Sequence, residues 1–187
     1  MFRESGADYF NPDEAAHRIL AANPGISTTE ANSAAWHEGK RLLERAISEG
    51  SDFAFETTLG GSTIPDLLRK ALSTGLEVRP WFVGLSTPEL HIARVRSRVA
   101  KGGHDIPEDK IRERYDRSRV KLIELMPTVT ELRVYDNSVE GDPNEGRAPQ
   151  PTLILHLKNG KIVEMCDLSV TPDWAKPLLA SAIRLAG

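Results

Sequence analysis

Val78-Arg79-Pro80-Trp81-Phe82-Val83-Gly84-Leu85, followed at once by Ser86-Thr87-Pro88-Glu89, sets the fold class. The run from Val78 to Leu85 is nearly continuous in apolar residues, as expected of a strand buried on both faces of a parallel sheet. Ser86 to Glu89 is a helix start, with a hydroxyl residue to cap, Pro at the first helical position and an acid in the first turn. A strand that feeds straight into a helix is the repeating unit of parallel α/β proteins.

Working outward, the same alternation recurs. Ala7 to Asn11 is a short strand candidate, and Pro12 opens a helix that runs to Ala22. Thr28 to Glu49 has a helical apolar stripe through Ala34, Ala35, Leu42, Leu43, Ala46 and Ile47, with Gly50 to stop it. Phe53 to Thr58 is a strand, Ile64 to Ser73 a helix, Glu108 to Leu125 a longer helix, and Leu132 to Asp136 a further strand. Asn137 to Pro151, rich in Gly, Pro, Asp and Glu, predicts a mobile loop. Beyond it, Thr152 to Leu157 and Ile162 to Met165 flank Lys158-Asn159-Gly160-Lys161, a strong hairpin signal. A helix from Pro172 to Leu185 closes the chain. The expected organisation is a domain over 1–138, a loop over 139–151 and an extension over 152–187.

Composition bounds the function classes. The chain has 187 residues with 40% hydrophobic and 27% charged, ordinary for a globular protein. A net charge of −3 gives no global basic field, so nucleic acid is not an expected partner. No apolar run approaches the roughly 18 residues of a membrane span, and the first residues open no signal peptide. The single cysteine, Cys166, excludes a disulfide scaffold and a thiolate zinc cluster, and the expected home is the cytoplasm.

Three groups of residues can carry chemistry. Asp13 follows the end of the first strand, where open α/β sheets bind ligands. It can accept a proton from a substrate hydroxyl, or merely favour the helix N-terminus electrostatically. Glu56-Thr57-Thr58 ends the strand begun at Phe53 and can contact substrate or phosphate. Gly60-Gly61-Ser62-Thr63 fails the phosphate-loop pattern and serves as a strand–helix connection or a substrate-side loop. Arg94, Arg96, Arg98 and Lys101 precede Gly102-Gly103-His104-Asp105, and Arg112, Arg114, Arg117, Arg119 and Lys121 follow it. Such arginines suit a lid over polyphosphate. The interleaved Glu108, Asp109, Glu113 and Asp116 also suit a salt-bridged surface, which accounts for most of them.

The order of these stretches resembles the zeta-toxin-like group of P-loop kinases over about residues 7 to 138. The matches are Tyr9-Phe10-Asn11-Pro12-Asp13-Glu14-Ala15, Phe53-Ala54-Phe55-Glu56-Thr57-Thr58-Leu59 and Arg98-Val99-Ala100-Lys101-Gly102-Gly103-His104-Asp105-Ile106-Pro107-Glu108. Arg112-Glu113-Arg114-Tyr115 and Val134-Tyr135-Asp136-Asn137-Ser138 follow in order. The resemblance implies a three-layer, P-loop-kinase-like parallel sheet and transfer of the γ-phosphate of ATP, with Mg2+, to a small molecule, a nucleotide sugar in the best-known members. It implies that Asp13 is the catalytic base. Asn11, Glu56, Thr57 and Thr58 would contact substrate, and Arg98, Arg112 and Arg114 supply the nucleotide clamp. An antitoxin is a partner the resemblance suggests.

One departure outweighs the matches. No GxxxxGK[ST] occurs in the chain, so the family's phosphate cradle, its Lys and its magnesium-binding Ser or Thr are absent from these residues. Losing preorganised groups of this kind costs orders of magnitude in rate. The expected activity of the 187 residues alone is therefore weak or nil. In the family fold the strand before that loop lies mid-sheet. Without it, the strands at Phe53 and Val78 lose their shared neighbour, leaving direct pairing, self-association through the open edge or a start upstream of Met1. The last is the favoured expectation. The alternative function is a non-catalytic relative that binds a nucleotide sugar or a protein.

Overall fold

The Asn159-Gly160 turn shows how local chemistry builds this fold. Both residues adopt left-handed backbone, with φ of 50° and 73°. Such a turn matches the right-handed twist of the strands it joins. In the computed structural model, which describes residues 8–101, 103, 105–139 and 150–187, it links β5 (Thr152–Lys158) to β6 (Lys161–Met165). The preceding elements are β1 (Asp8–Phe10), α1 (Pro12–Ala22), α2 (Thr28–Glu49), β2 (Phe53–Phe55), α3 (Thr63–Ser73), β3 (Trp81–Gly84), α4 (Pro88–Ala100), α5 (Glu108–Leu125) and β4 (Glu131–Asp136). After β6 come short 3-10 turns at Leu168–Val170 and Asp173–Ala175, then α6 (Lys176–Ala186). Gly102, His104 and most of the expected 139–151 loop lie outside the described residues.

The protein is an α/β protein with two sheets. One is the parallel pair β1–β2, and the other is a mixed sheet in the order β3–β4–β5–β6. Direct pairing of β2 with β3, one of the anticipated repairs, is not among the ladders of the described residues. The chain divides into two compact units: residues up to Thr58 with Asp66–Leu76, and Leu59–Pro65 with Glu77–Gly187.

In the first unit, α2 forms where its caps dictate. Ser27 and Glu30 make a reciprocal capping box, and Gly50 ends the helix in left-handed conformation. Small buried residues, Ala15 and Ala16 on α1 and Ala31 and Ala35 on α2, pack with Phe10, and Ile19, Ile26, Leu42, Phe53 and Phe55 surround them. β1 and β2 are parallel, with Asp8 opposite Phe53 and Phe10 opposite Phe55.

In the second unit, β3 runs parallel to β4, while β4–β5 and β5–β6 are antiparallel. The expected strand from Val78 is shortened at its start to Trp81. Pro80 has no N–H for the ladder, although its carbonyl still accepts from Arg133 N–H at 3.1 Å. Leu132 and Val134 of β4, Leu155 and Leu157 of β5, Leu122 and Leu125 of α5, and Leu178 and Leu179 of α6 are fully buried. The C-terminal residues are built into this core rather than appended to it. Trp174 lies against Gly84 so closely that a Cβ there would meet its ring at 2.3 Å. Its indole N–H donates to Asp136 at 3.1 Å. The expected final helix starts later than Pro172, because Pro177 fits only its first turn and the residues before it close as a 3-10 turn. Among the described residues, no helix is long and apolar enough to cross a membrane.

Candidate functional site

Two places carry the chemistry expected from the sequence, one in each unit. In the first unit, the parallel register sets the carboxyl ends of β1 and β2 side by side. Asn11 caps α1, its Oδ1 accepting from the N–H groups of Asp13 at 2.9 Å and Glu14 at 3.1 Å. This fixes Asp13 in the first helical turn with its carboxylate exposed. The ladder runs one bond past β2, where Glu56 N–H donates to the Phe10 carbonyl at 3.1 Å. Ala54 pairs with Tyr9, and Glu56, two residues on, shares its face of the sheet. There the Glu56 carboxylate accepts a hydrogen bond from the Tyr9 hydroxyl. That bond, with burial adding to it, raises the Tyr9 phenol above its ordinary value. Asn11, Asp13 and Glu56 thus meet at one sheet edge, with Thr57 and Thr58 exposed just beyond. Tyr9 is the member that sequence reasoning missed. Its signal was the two-residue alternation that puts Tyr9 and Asn11 on the face opposite Phe10.

In the second unit, the acids between the basic residues of α4 and α5 take up several of them. Arg96 pairs with Glu108, Arg117 with Glu113 and Arg119 with Asp116. Arg112 of the expected clamp donates to Glu89 at 2.5 Å, which holds the Glu89 carboxyl below its ordinary range. Arg114 is exposed and makes no ion pair among the described residues. Arg98 lies elsewhere, in an open cleft of about 460 Å³ lined by Arg94, Ser97, Arg98, Lys101 and Gly103. Among the described residues, no acidic side chain lines it. Of the three clamp candidates, the structure therefore brings only Arg98 to this cleft. Arg94 and Lys101, which join it, were legible as helix-spaced neighbours of Arg98.

The Tyr115 hydroxyl on α5 reaches the carbonyls of Leu85 at 3.0 Å and Ser86 at 2.7 Å, at the end of β3. Asn137, just past β4, donates its N–H to the Gly84 carbonyl at 2.9 Å, while its side-chain Oδ1 is buried and has no partner among the described residues. The described residues hold no group of three or more His, Cys, Asp or Glu placed to bind a metal ion.

Comparison with known proteins gives one relative at significant similarity. Over 103 residues the chain is 32% identical to an uncharacterized protein of Haemophilus influenzae, covering 55% of this chain and 71% of that protein. The chain belongs to that protein's family. The relative's name states no activity, so membership assigns none here. No family model matches the chain, and no solved structure matches it significantly.

Proposed function

We propose that these residues form the acceptor-binding and lid parts of a zeta-toxin-like, ATP-dependent small-molecule kinase. The observation that carries the reading is the shared edge of β1 and β2, where the exposed Asp13 carboxylate stands with Asn11 and the Tyr9-held Glu56. Each unit contains one parallel pair, β1–β2 in the first and β3–β4 in the second, which agrees with the parallel pairing the resemblance implies. The edges of β2 and β3 that are not used by β1 and β4 carry no ladder partner among the described residues, and that is where an antitoxin strand or a second copy would pair.

Asp13 acts as general base and takes the proton of the acceptor hydroxyl as the oxygen attacks the γ-phosphorus; the bond from that phosphorus to the β–γ bridging oxygen breaks and ADP leaves. Glu56, Thr57 and Thr58 hold the acceptor, a hydroxyl-bearing small molecule such as a nucleotide sugar. Arg98 meets the phosphates of ATP with fixed positive charge. Mg2+ has no carboxylate cluster to hold it among the described residues, and no step here depends on it. A second reading, a non-catalytic binder of nucleotide sugar or protein, is favoured by the absence of GxxxxGK[ST] from these 187 residues.

The test is acceptor binding and transfer measured on the same protein. A panel of nucleotide sugars is titrated by NMR, and ATP-dependent phosphorylation is followed with Asp13→Asn alongside. The kinase reading expects a binder that loses affinity in Glu56→Gln, with transfer that is weak or nil and absent in Asp13→Asn. Transfer that survives Asp13→Asn, or a panel with no binder, contradicts it.

A further inference from the structure

Two described residues other than glycine have left-handed backbone, Asn159 with φ of 50° and Leu59 with φ of 52°. Asn159 is explained by its hairpin turn, which requires that conformation and favours asparagine in it. Leu59 has no such reason. It follows Glu56-Thr57-Thr58 in the connection between β2 and α3, outside any hairpin. A bulky side chain is disfavoured there, because in left-handed backbone its Cβ crowds the following carbonyl. Two glycines come next that would adopt the conformation freely, yet neither Gly60 nor Gly61 has it.

The side chain accounts for the exception. Leu59 is 8% exposed, whereas Glu56, Thr57 and Thr58 before it are all exposed. Burying a leucine is favourable enough to offset one residue of left-handed backbone. Glycine at this position would relieve the backbone and lose the anchor. Upstream, Glu56 is held at the strand end, its N–H donating to the Phe10 carbonyl at 3.1 Å and its carboxylate accepting from the Tyr9 hydroxyl. Downstream, Leu59 is held by burial. Thr57 and Thr58 are the two residues in between.

Backbone outliers persist where their surroundings over-determine them, and they concentrate at functional positions. We propose that Leu59 is the positioning residue of the Thr57-Thr58 segment: its buried side chain and left-handed backbone keep both threonines in one arrangement at the end of β2, where they meet an acceptor. The hold on the segment stands on backbone and burial alone, whereas its use for an acceptor rests on the kinase reading. Leu59 acts through the two threonines and does not itself touch the acceptor. A segment that is already ordered binds without first losing conformational freedom, so acceptor affinity is where the loss of Leu59 is felt.

Two substitutions separate the backbone from the side chain. Leu59→Gly accepts the left-handed backbone and removes the anchor, whereas Leu59→Met keeps a buried apolar side chain on the same backbone. NMR order parameters of the Thr57 and Thr58 amides are measured in the 187-residue protein, with the Tyr9 ring titration as a control on the β1–β2 edge. The expected values are above about 0.8 in wild type and Leu59→Met, falling below about 0.6 in Leu59→Gly, with the Tyr9 titration unmoved. Affinity for whichever member of the nucleotide-sugar panel binds is expected to weaken by about tenfold in Leu59→Gly and to stay within about twofold in Leu59→Met. Threonine order parameters unchanged in Leu59→Gly overturn the proposal. So does a shifted Tyr9 titration with order lost across the whole β1–β2 edge, which would make Leu59 a general core residue. Loosened threonines with unchanged affinity overturn the role in binding. If no member of the panel binds wild type, the kinase reading fails and takes the acceptor role with it, while the order parameters still decide whether Leu59 holds the segment.

Discussion

The Tyr9 hydroxyl hydrogen-bonds the Glu56 carboxylate across the ends of two parallel strands, so two residues 47 apart in sequence form one polar edge. The bond needs the phenol protonated, which is why the folded protein holds Tyr9 above its ordinary value of 10.0. The stability it contributes is fully present below about pH 10 and is lost as pH rises through the raised folded-state value.

Glu56→Ala is therefore expected to return the Tyr9 titration toward its ordinary value, as seen by NMR of the tyrosine ring. Tyr9→Phe is expected to cost about 1 kcal/mol near neutral pH by urea denaturation. A Tyr9 titration indifferent to Glu56→Ala would remove the positioning role given to that hydroxyl.

Gly84 and Trp174 make a steric prediction. An added methyl at Gly84 meets three atoms of the Trp174 ring between 2.3 and 2.6 Å, and the ring is anchored by its bond to Asp136. Gly84→Ala is expected to destabilise the protein by about 1–3 kcal/mol and to change the indole environment. Calorimetry and tryptophan fluorescence report the two effects, and an unchanged melting temperature would refute the packing.

The start of α2 predicts an acid-side dependence. Ser27 donates its N–H at 2.8 Å and its hydroxyl at 2.7 Å to the Glu30 carboxylate, holding that group below its ordinary 4.5. The contribution is present above that value and is lost as pH falls through the lowered folded-state one. Ser27→Ala is expected to lower stability near neutral pH, with the gap from wild type narrowing as pH falls below the ordinary 4.5. Denaturation curves across that range test it.

Arg112 and Glu89 form an exposed pair between α5 and the first turn of α4. Arg112→Gln is expected to let the Glu89 carboxyl rise toward 4.5, and added salt to produce part of the same change in wild type. A carboxyl titration by NMR that ignores both would show the pair to be unimportant in solution.

Much of this architecture was legible because local signals agreed with the final packing. α2 spans Thr28 to Glu49, as Ser27, Glu30 and Gly50 dictate, and the Asn159-Gly160 hairpin needed only its turn chemistry. β3 was overread at its start because apolar periodicity does not register a missing N–H, and Pro80 interrupts the ladder there. The candidate site was legible at Asn11, Asp13 and Glu56, which mark strand ends. Partners that depend on register or helix packing were not. Tyr9 reaches Glu56 only through the β1–β2 pairing, and Arg112 is drawn to Glu89 by the α4–α5 contact.

The central proposal is that this chain would supply the lid of a phosphate-transferring enzyme, with Arg98 at its phosphate contact. Titration of the 187-residue protein with ADP, read at the Gly103 amide by NMR, tests it most directly. The account predicts saturable binding that is displaced by inorganic triphosphate and weakened by about tenfold in Arg98→Gln. A Gly103 amide that does not respond to ADP, or responds equally in Arg98→Gln, would contradict it.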